Sequence, residues 1–514
     1  MGKKDKNKKK GKGAEKTAMK TDKKNAAKQK KMLEKLGEAN ITDIIHMLEV
    51  KEGRLDGITE EVCPPPSPRS NFTLVAHPEK EELIMFGGEL YNGANISVYN
   101  DLFFYNIKAN EWKALRSPGG PTPRSGHQMV SLASNGGELW MFGGEHASPS
   151  QLQFHHYRDL WKFSLKSRKW EKLSAPNGPS ARSGHRMTAS KKRLFIFGGF
   201  HDNNQSYNYF NDVHVFSLET YQWLKVEIGG PTIPHVRSGC CIAAAPDGKV
   251  FVWGGYSRAS MKKDIDRGVT HTDMFALTQD KNSGDGENKY KWIAVKPGGY
   301  RPKPRSSVGC TVAANGKAYC FGGVMDVNED DEDVHGQFSD DLLAFDLTAQ
   351  TWRLLEILEK SSPAAKKNAK DSTDVEMGES KAAPAGPVTT TDGIFTVTVG
   401  GPSTSGTTPY TSAIPSLFGN KPQRATSVPS PRMNPGLCVC KGTLYVFGGL
   451  FEEDAKLMTF NDFYALDLHK LEWKVLIPNN FKAHDWVDSD SSSSDEETSG
   501  SDEDSSSSSD MDTD

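Results

Sequence analysis

Apolar positions recur along the chain in short strand-like runs rather than at helical spacing, and one such run is written six times. "ELIMFGGEL", "ELWMFGGEH", "RLFIFGGF", "KVFVWGGYS", "KAYCFGGVM" and "TLYVFGGLF" each end a run of apolar residues on two glycines. Runs of this length, rich in aromatic and β-branched residues and stopped by glycine, predict strands. The glycine pairs are Gly87 and Gly88, Gly143 and Gly144, Gly198 and Gly199, Gly254 and Gly255, Gly322 and Gly323, and Gly448 and Gly449. Glycine takes positive φ freely and lets neighbouring backbone come close, so each pair marks a sharp turn at the end of a strand.

Three more landmarks stand in fixed order around each pair. An arginine opens the unit: Arg69, Arg124, Arg182, Arg237, Arg305 and Arg432. After the glycines an acidic turn leads into a second apolar run, as in "NDLFFYNI", "RDLWKFSL" and "DDLLAFDL". A tryptophan closes the unit: Trp112, Trp170, Trp223, Trp292, Trp352 and Trp473. The arginines lie 55, 58, 55, 68 and 127 residues apart, so the later units carry insertions. A fixed period of this size is the signature of a repeat architecture. Each unit reads as four strands, A to D, with A after the arginine, B ending in Gly-Gly, C after the acidic turn and D at the tryptophan. One four-stranded sheet cannot bury both faces, whereas six arranged radially hide them and leave only short edges. The expected fold class is all-β, a six-bladed β-propeller, with the glycines and tryptophans as scaffold and the tryptophans packed between blades.

Units of about 50 residues with Gly-Gly and a later tryptophan match the kelch period. With these landmarks, and with "CPPPSPRS" (63–70), "RSGHRM" (182–187) and "LYVFGGLFE" (444–452), the chain resembles the kelch-repeat family over essentially its whole length, departing most in residues 357–430. The resemblance implies a six-bladed kelch propeller of protein-binding character and brings no catalytic residues with it.

Charge changes the picture only at the ends. The net charge of −3 conceals 14 Lys among residues 1–31 and 12 Asp and Glu among residues 483–514, with the middle near neutral. Residues 1–31 are expected to be a disordered Lys-rich arm, open to nuclear import or non-specific phosphate binding but without aromatic residues to stack on bases. The tail, residues 481–514, places acids three residues after Ser492, Ser493 and Ser494, a pattern that suits acidophilic kinases. Residues 32–62 are expected to form a short helix and linker, with Leu33, Leu36, Ile44, Ile45 and Leu48 on one face and docking on the propeller favoured over partner binding. Blades 1–5 are assigned to residues 63–356 and blade 6 to 431–480. Residues 357–430, rich in Ala, Lys, Pro, Ser and Thr, are expected to be a disordered insertion in which "GIFTVTVGG" alternates like a strand.

The candidate chemistry is that of binding. No signal peptide or run of 18 apolar residues appears, and the expectation is a monomeric protein of the cytoplasm, with the nucleus open through the Lys-rich arm. The seven cysteines show no CxxC or Cys/His spacing, so neither a metal nor another cofactor is expected, and no residue set suggests catalysis. His127 and His185 fall at equivalent repeat positions and read as scaffold. In the alternating strands the six arginines gather near one mouth of the channel, rimmed by residues that follow the glycines, among them His201 and Tyr256. Two roles are open to that ring. It could bind a carboxylate-bearing segment by bidentate pairing, with Arg124, Arg182, Arg237, Arg305, His201 and Tyr256 as the candidate binding residues. Alternatively each arginine holds its own repeat together, which its recurrence in every blade favours. The leading expectation is a non-catalytic adaptor for an unidentified, acidic protein or peptide. A ubiquitin-ligase substrate receptor and a ribosome- or nucleic-acid-associated factor are the alternatives.

Overall fold

The computed structural model describes residues 27–28, 31–202, 207–260, 266–280, 288–330, 333–357, 388–392, 395–399, 427–453 and 456–479. Most of the Lys-rich arm and of the insertion, and all of the acidic tail, lie outside them. Six antiparallel sheets form the blades of a propeller. Blade 1 runs outward as A Thr73–Ala76, B Glu82–Phe86, C Leu102–Asn106 and D Glu111–Arg116, and the other five repeat this order. Thr59–Cys63, assigned to the linker by sequence, instead pairs with strand D of blade 1 as a fifth, outermost strand. Its side chains are mostly exposed, so the run lacks the apolar periodicity that marks the inner strands. Blades 4 and 5 gain outer strands as well, Glu227–Gly229 and Gly298–Gly299, both parallel to strand D.

The tryptophans sit where expected, between blades, and they follow one rule. Each packs on the aromatic residue that precedes the Gly-Gly of the blade before it. Trp170 lies on Phe86, Trp223 on Phe142, Trp292 on Phe197, Trp352 on Trp253 and Trp473 on Phe321, with ring centroids 5.3–6.4 Å apart. Trp112 completes the circle on Phe447, 5.8 Å away. Six hydrophobic clusters result, one at each junction of neighbouring blades. All four strands of blade 1 and all four of blade 6 come from their own segments, so the ring closes by packing and hydrogen bonding without exchanging a strand.

The glycine pairs are the seats for those junctions. Both glycines of every pair have positive φ. A Cβ on Gly143 would stand 2.8 Å from the carbonyl oxygen of Arg182, and one on Gly198 2.6 Å from that of Arg237. The second glycine donates its N–H to the same carbonyl: Gly144 to Arg182 at 3.0 Å, Gly199 to Arg237 at 2.9 Å, and Gly449 to Arg69 at 3.1 Å across the closing junction. Gly-Gly therefore recurs because the next blade's backbone must dock against it.

On the same side, strands B and C continue as hairpins. These are Glu89–Tyr91 with Ile96–Val98, Glu145–Ala147 with Phe154–His156, Phe200–Asp202 with Tyr207–Tyr209, Tyr256–Ser260 with Asp266–Thr270, and Val324–Asp330 with Asp333–Phe338. In blade 6 the hairpin is continuous with Thr443–Glu453 and Lys456–Asp467. The B–C segments of blades 4 and 5 are thus paired strands as well, although their many charged residues obscure the alternation. The helix Ile41–Gly53 docks on the blade 2 hairpin, where the Ile41 N–H donates to Gln153 Oε1 at 2.9 Å and Gln153 Nε2 donates to Glu38 Oε1 at 3.0 Å. Ile45 is its buried residue. Within the insertion, residues 358–424 form a separate unit whose described part is a hairpin of Val388–Asp392 and Phe395–Val399.

Candidate functional site: the hairpin face and channel mouth

The inner A strands enclose a channel with a volume of about 530 Å³. Its upper collar is a turn that follows each opening arginine and has positive φ at Asn71, Gly126, Gly184, Gly239, Ser307 and Asn434. Backbone N–H groups link these turns from blade to blade, Gly126 to Asn71, Gly184 to Gly126, Gly239 to Gly184, Ser307 to Gly239 and Asn434 to Ser307, at 2.7–3.0 Å. The collar is therefore held by backbone hydrogen bonds, and the blades differ at the mouth in their side chains.

The six arginines are not open to the channel. Each is buried, from 0% exposed for Arg124, Arg237 and Arg432 to 8% for Arg305. Each guanidinium pairs with the aspartate of the acidic turn in its own blade: Arg69 with Asp101 at 3.3 Å, Arg124 with Asp159 at 2.7 Å and Arg182 with Asp212 at 2.5 Å. Blades 4 to 6 repeat the pair, Arg237 with Asp273 at 2.6 Å, Arg305 with Asp341 at 2.7 Å and Arg432 with Asp462 at 2.5 Å. The same guanidinium donates to the carbonyl of the first glycine of its blade, as Arg182 Nη1 does to Gly198 at 3.0 Å. An aromatic ring covers it in four blades: Tyr99, Tyr157, Phe210 and Phe460 lie 3.8–4.4 Å from the arginine carbon. In blade 5 Ser339 stands there and accepts from Arg305 Nη1 at 2.8 Å. Burial alone would favour the neutral acid in Asp212, but His214 and Arg182 overcome it and hold the carboxyl below its usual range. The forks at Arg124, Arg182, Arg237 and Arg305 are thus filled from within the fold, and this geometry is that of a clamp. The signal was in the sequence, since one arginine and one aspartate recur in every unit.

The rim of the mouth is unlike from blade to blade. The residue after Gly-Gly bridges to the serine or methionine that follows the arginine, and it is Glu89, Glu145, Phe200, Tyr256, Val324 or Leu450 in turn. Glu89 accepts from Asn71 Nδ2 and from Ser125 Oγ, both at 2.6 Å. Glu145 lies 3.5 Å from His156 Nε2. Burial, and then the charge of Glu89, pushes the Glu145 carboxyl up to about 8, while burial and then His201 hold His156 down to about 3. At neutral pH the pair is therefore mostly uncharged. His201, one of the expected binding residues, stacks 4.5 Å from His156. Beside it Phe200, Tyr207 and Tyr209 form an aromatic cluster with centroids 5.9–6.0 Å apart, and Arg258 lies 5.7 Å from the Tyr207 ring. Tyr256, the other expected rim residue, bridges Ser238 at the foot of the adjacent hairpin.

Arg186 was missed by sequence. It lines the channel, with Nε donating to the Cys240 carbonyl at 2.5 Å and Nη1 to the His185 carbonyl at 3.1 Å. Its signal is that the second residue after the collar turn, Thr73, Gln128, Cys241, Gly309 or Gly436 in the other blades, is arginine in blade 3. His127 and His185 lie buried against Phe86 and Phe142 as scaffold, and burial holds His127 down to about 3. The fold also gathers three thiols that sequence spacing had kept apart: Cys241, Cys310 and Cys320 have sulfurs within 4.8 Å of one another.

Comparison with known proteins agrees with this architecture. The profile of the KLHDC2/KLHL20/DRC7 Kelch-repeats domain matches residues 35–255 and 132–370, and that of the Kelch motif matches residues 431–476. An N-(sulfonatooxy)prop-2-enimidothioate sulfolyase of Thlaspi arvense is 23% identical over 304 residues, which are 57% of this chain and 80% of that protein. Host cell factor of Drosophila melanogaster is 24% identical over 329 residues, 59% of this chain and 20% of that protein. The solved structure titled "Structure of YjhT" aligns with a TM-score of 0.47 at 12% identity, covering 80% of this chain and 98% of that one. No helix among the described residues is long and apolar enough to cross a membrane. With the repeat profile spanning residues 35–370 and the motif returning in blade 6, the chain belongs to the kelch-repeat family.

Proposed function

We propose that the chain is a non-catalytic protein–protein interaction scaffold, or adaptor, that takes a protein segment on its hairpin face. One observation carries this reading: the arginine–aspartate clamp recurs in all six blades, while the rim and hairpins around it change in character from the glutamates of blades 1 and 2 to the aromatic and aliphatic residues of blades 3 to 6. Unlike side chains on a rigid frame are what recognition of one particular partner requires. The aromatic cluster of blade 3 supplies apolar anchors with the cation Arg258 of blade 4 beside them, and aromatic residues and arginine dominate binding energy. An acidic segment remains the complement we favour, read by Arg186 in the channel and Arg258 on the hairpin rather than by the buried arginines. His201 and Tyr256 keep their proposed binding roles. We further propose a monomer of the cytoplasm, with the Lys-rich arm open to nuclear import, and a resemblance to kelch domain-containing protein 4 carried by "HPEKEELIMFGGELYNG" (77–93).

The sulfolyase names an enzymatic second reading for this fold. We favour binding because His127 and His156 are buried and burial holds both imidazoles neutral, one in a scaffold position and one stacked on His201. The test is proximity labelling in cells with wild type and with Tyr256→Ala/Arg258→Ala, after thermal melts show both folded. Loss of a specific set of neighbours from the variant supports the hairpin face. An unchanged set overturns it and moves attention to the ubiquitin-ligase and Lys-arm readings, which deletion of residues 1–31 would separate.

A further inference from the structure

Cys241 ends the collar side of blade 4, and Cys310 and Cys320 face each other across strands A and B of blade 5. Cys310 and Cys320 sulfurs are 3.8 Å apart, and all three sulfurs lie within 4.8 Å. Cys241 and Cys320 are buried within the apolar cluster between blades 4 and 5, walled by Trp253, Ala318 and Leu343. Cys310 is partly buried and lines the channel, which gives the group a route to solvent. Arg186 stands on the neighbouring blade 3 wall, bonded to the carbonyl of Cys240, the residue before Cys241.

We propose that Cys241, Cys310 and Cys320 form a site for one thiophilic d10 metal ion, Cu(I) or Zn(II), held by three thiolates and reached through the channel. Thiolate donors select these ions over hard cations. With metal–sulfur bonds of about 2.3 Å, ligand sulfurs around one ion stand roughly 3.8–4.0 Å apart, the separation Cys310 and Cys320 already have, with the Cys241 sulfur no more than 4.8 Å from either. Three ligands from two blades suit three-coordinate Cu(I), while Zn(II) completes its tetrahedron with a channel water beside Cys310. Binding releases the protons of the coordinated thiols and leaves an anionic complex, which the guanidinium of Arg186 opposes in charge. A lone disulfide between Cys310 and Cys320 would leave Cys241 without a role, and the convergence of three sulfurs argues for a metal instead. The site is independent of the hairpin-face reading.

The experiment titrates full-length, reduced protein anaerobically, with Cu(I) against a chromophoric Cu(I) chelator in one arm and with Co(II) as the spectroscopic stand-in for Zn(II) in the other. The expected result is one equivalent that resists the competitor, or one equivalent with intense thiolate-to-cobalt absorption. It is lost in Cys310→Ser and in Cys241→Ser and retained in the control Cys438→Ser. Cys310→Ser changes one atom at the channel edge, and an unchanged melt in the reduced, metal-free state shows that loss of metal is not loss of fold. The proposal is overturned by no tight equivalent of either metal in the wild type. It is also overturned by metal retained in both serine variants, or by purified reduced protein that forms the Cys310–Cys320 disulfide and excludes metal.

Discussion

At the scale of single residues, the chemistry that looks most functional is the most structural. A ring of six arginines reads as an anion grip, yet each is neutralised by an aspartate about 30 residues later in the same blade. Removing one partner of a buried pair leaves an uncompensated charge, at a cost of about 3–5 kcal/mol. The cost should follow enclosure. Asp462 is 0% exposed, whereas Asp273 is 45% exposed and its pair is correspondingly screened. Arg432→Ala, which strands the enclosed Asp462, is therefore expected to lower the denaturation midpoint far more than Arg237→Ala, which strands the half-exposed Asp273, and chemical unfolding will show it. The Glu145 carboxyl gives a second expectation. Its folded-state value of about 8 lies above the ordinary 4.5, so the stability it contributes is complete below about 4.5 and is lost as pH rises through about 8. Melts of the wild type should fall across that window, and those of Glu145→Gln should fall less. An identical pH profile in both would contradict the burial argument.

At the scale of elements, strands and their order were legible because apolar runs of four or five residues stopped by glycine have little alternative to a strand. Gly-Gly was legible as a turn, but its reason was not. The close approach is to the arginine carbonyl of the next blade, 37 residues on from Gly87 to Arg124 and 110 from Gly322 to Arg432, and no local pattern carries that distance. Gly143→Ala would place Cβ 2.8 Å from the Arg182 carbonyl at a φ of 65°, so a loss of at least about 1–3 kcal/mol is expected in chemical denaturation. The hairpins of blades 4 and 5 were hidden by charge, and Thr59–Cys63 by its exposure, since periodicity reports burial and not pairing. Helix docking was legible from Ile44, Ile45 and Leu48, whereas Leu33 and Leu36, expected on the same face, lie in a separate helical stretch before Gly37, with Leu36 exposed. Its specific anchor is Gln153, which holds Ile41, Glu38 and Ala39 at once. Gln153→Ala should raise hydrogen exchange in the helix Ile41–Gly53 while leaving the blades protected.

At the scale of the whole molecule, the ring is a circuit of like joints: aromatic on aromatic and glycine N–H on arginine carbonyl at all six, with collar turn bonded to collar turn at the five between blade 1 and blade 6. Every joint depends on the next, so the six blades are expected to unfold together. The closing joint is as well furnished as the others, with Phe72 and Trp112 both on Phe447. Phe447→Ala removes partners from both and should cost about 3–5 kcal/mol. What sequence could not supply at this scale is adjacency across blades: Cys241 of blade 4 meets Cys310 and Cys320 of blade 5, and Arg186 and Tyr207 of blade 3 meet the Cys240 carbonyl and Arg258 of blade 4, and only the radial arrangement brings them together.

The central claim is that the repeated charge pair holds the ring and leaves recognition to the unlike rim. The most direct measurement is a double-mutant cycle in blade 6, with Arg432→Met, Asp462→Leu and both together followed by denaturant unfolding. The account predicts two costly single variants and a double variant much less destabilised than their sum. Additive costs, or singles close to wild type, would contradict it and return the arginine to the channel as a candidate ligand group.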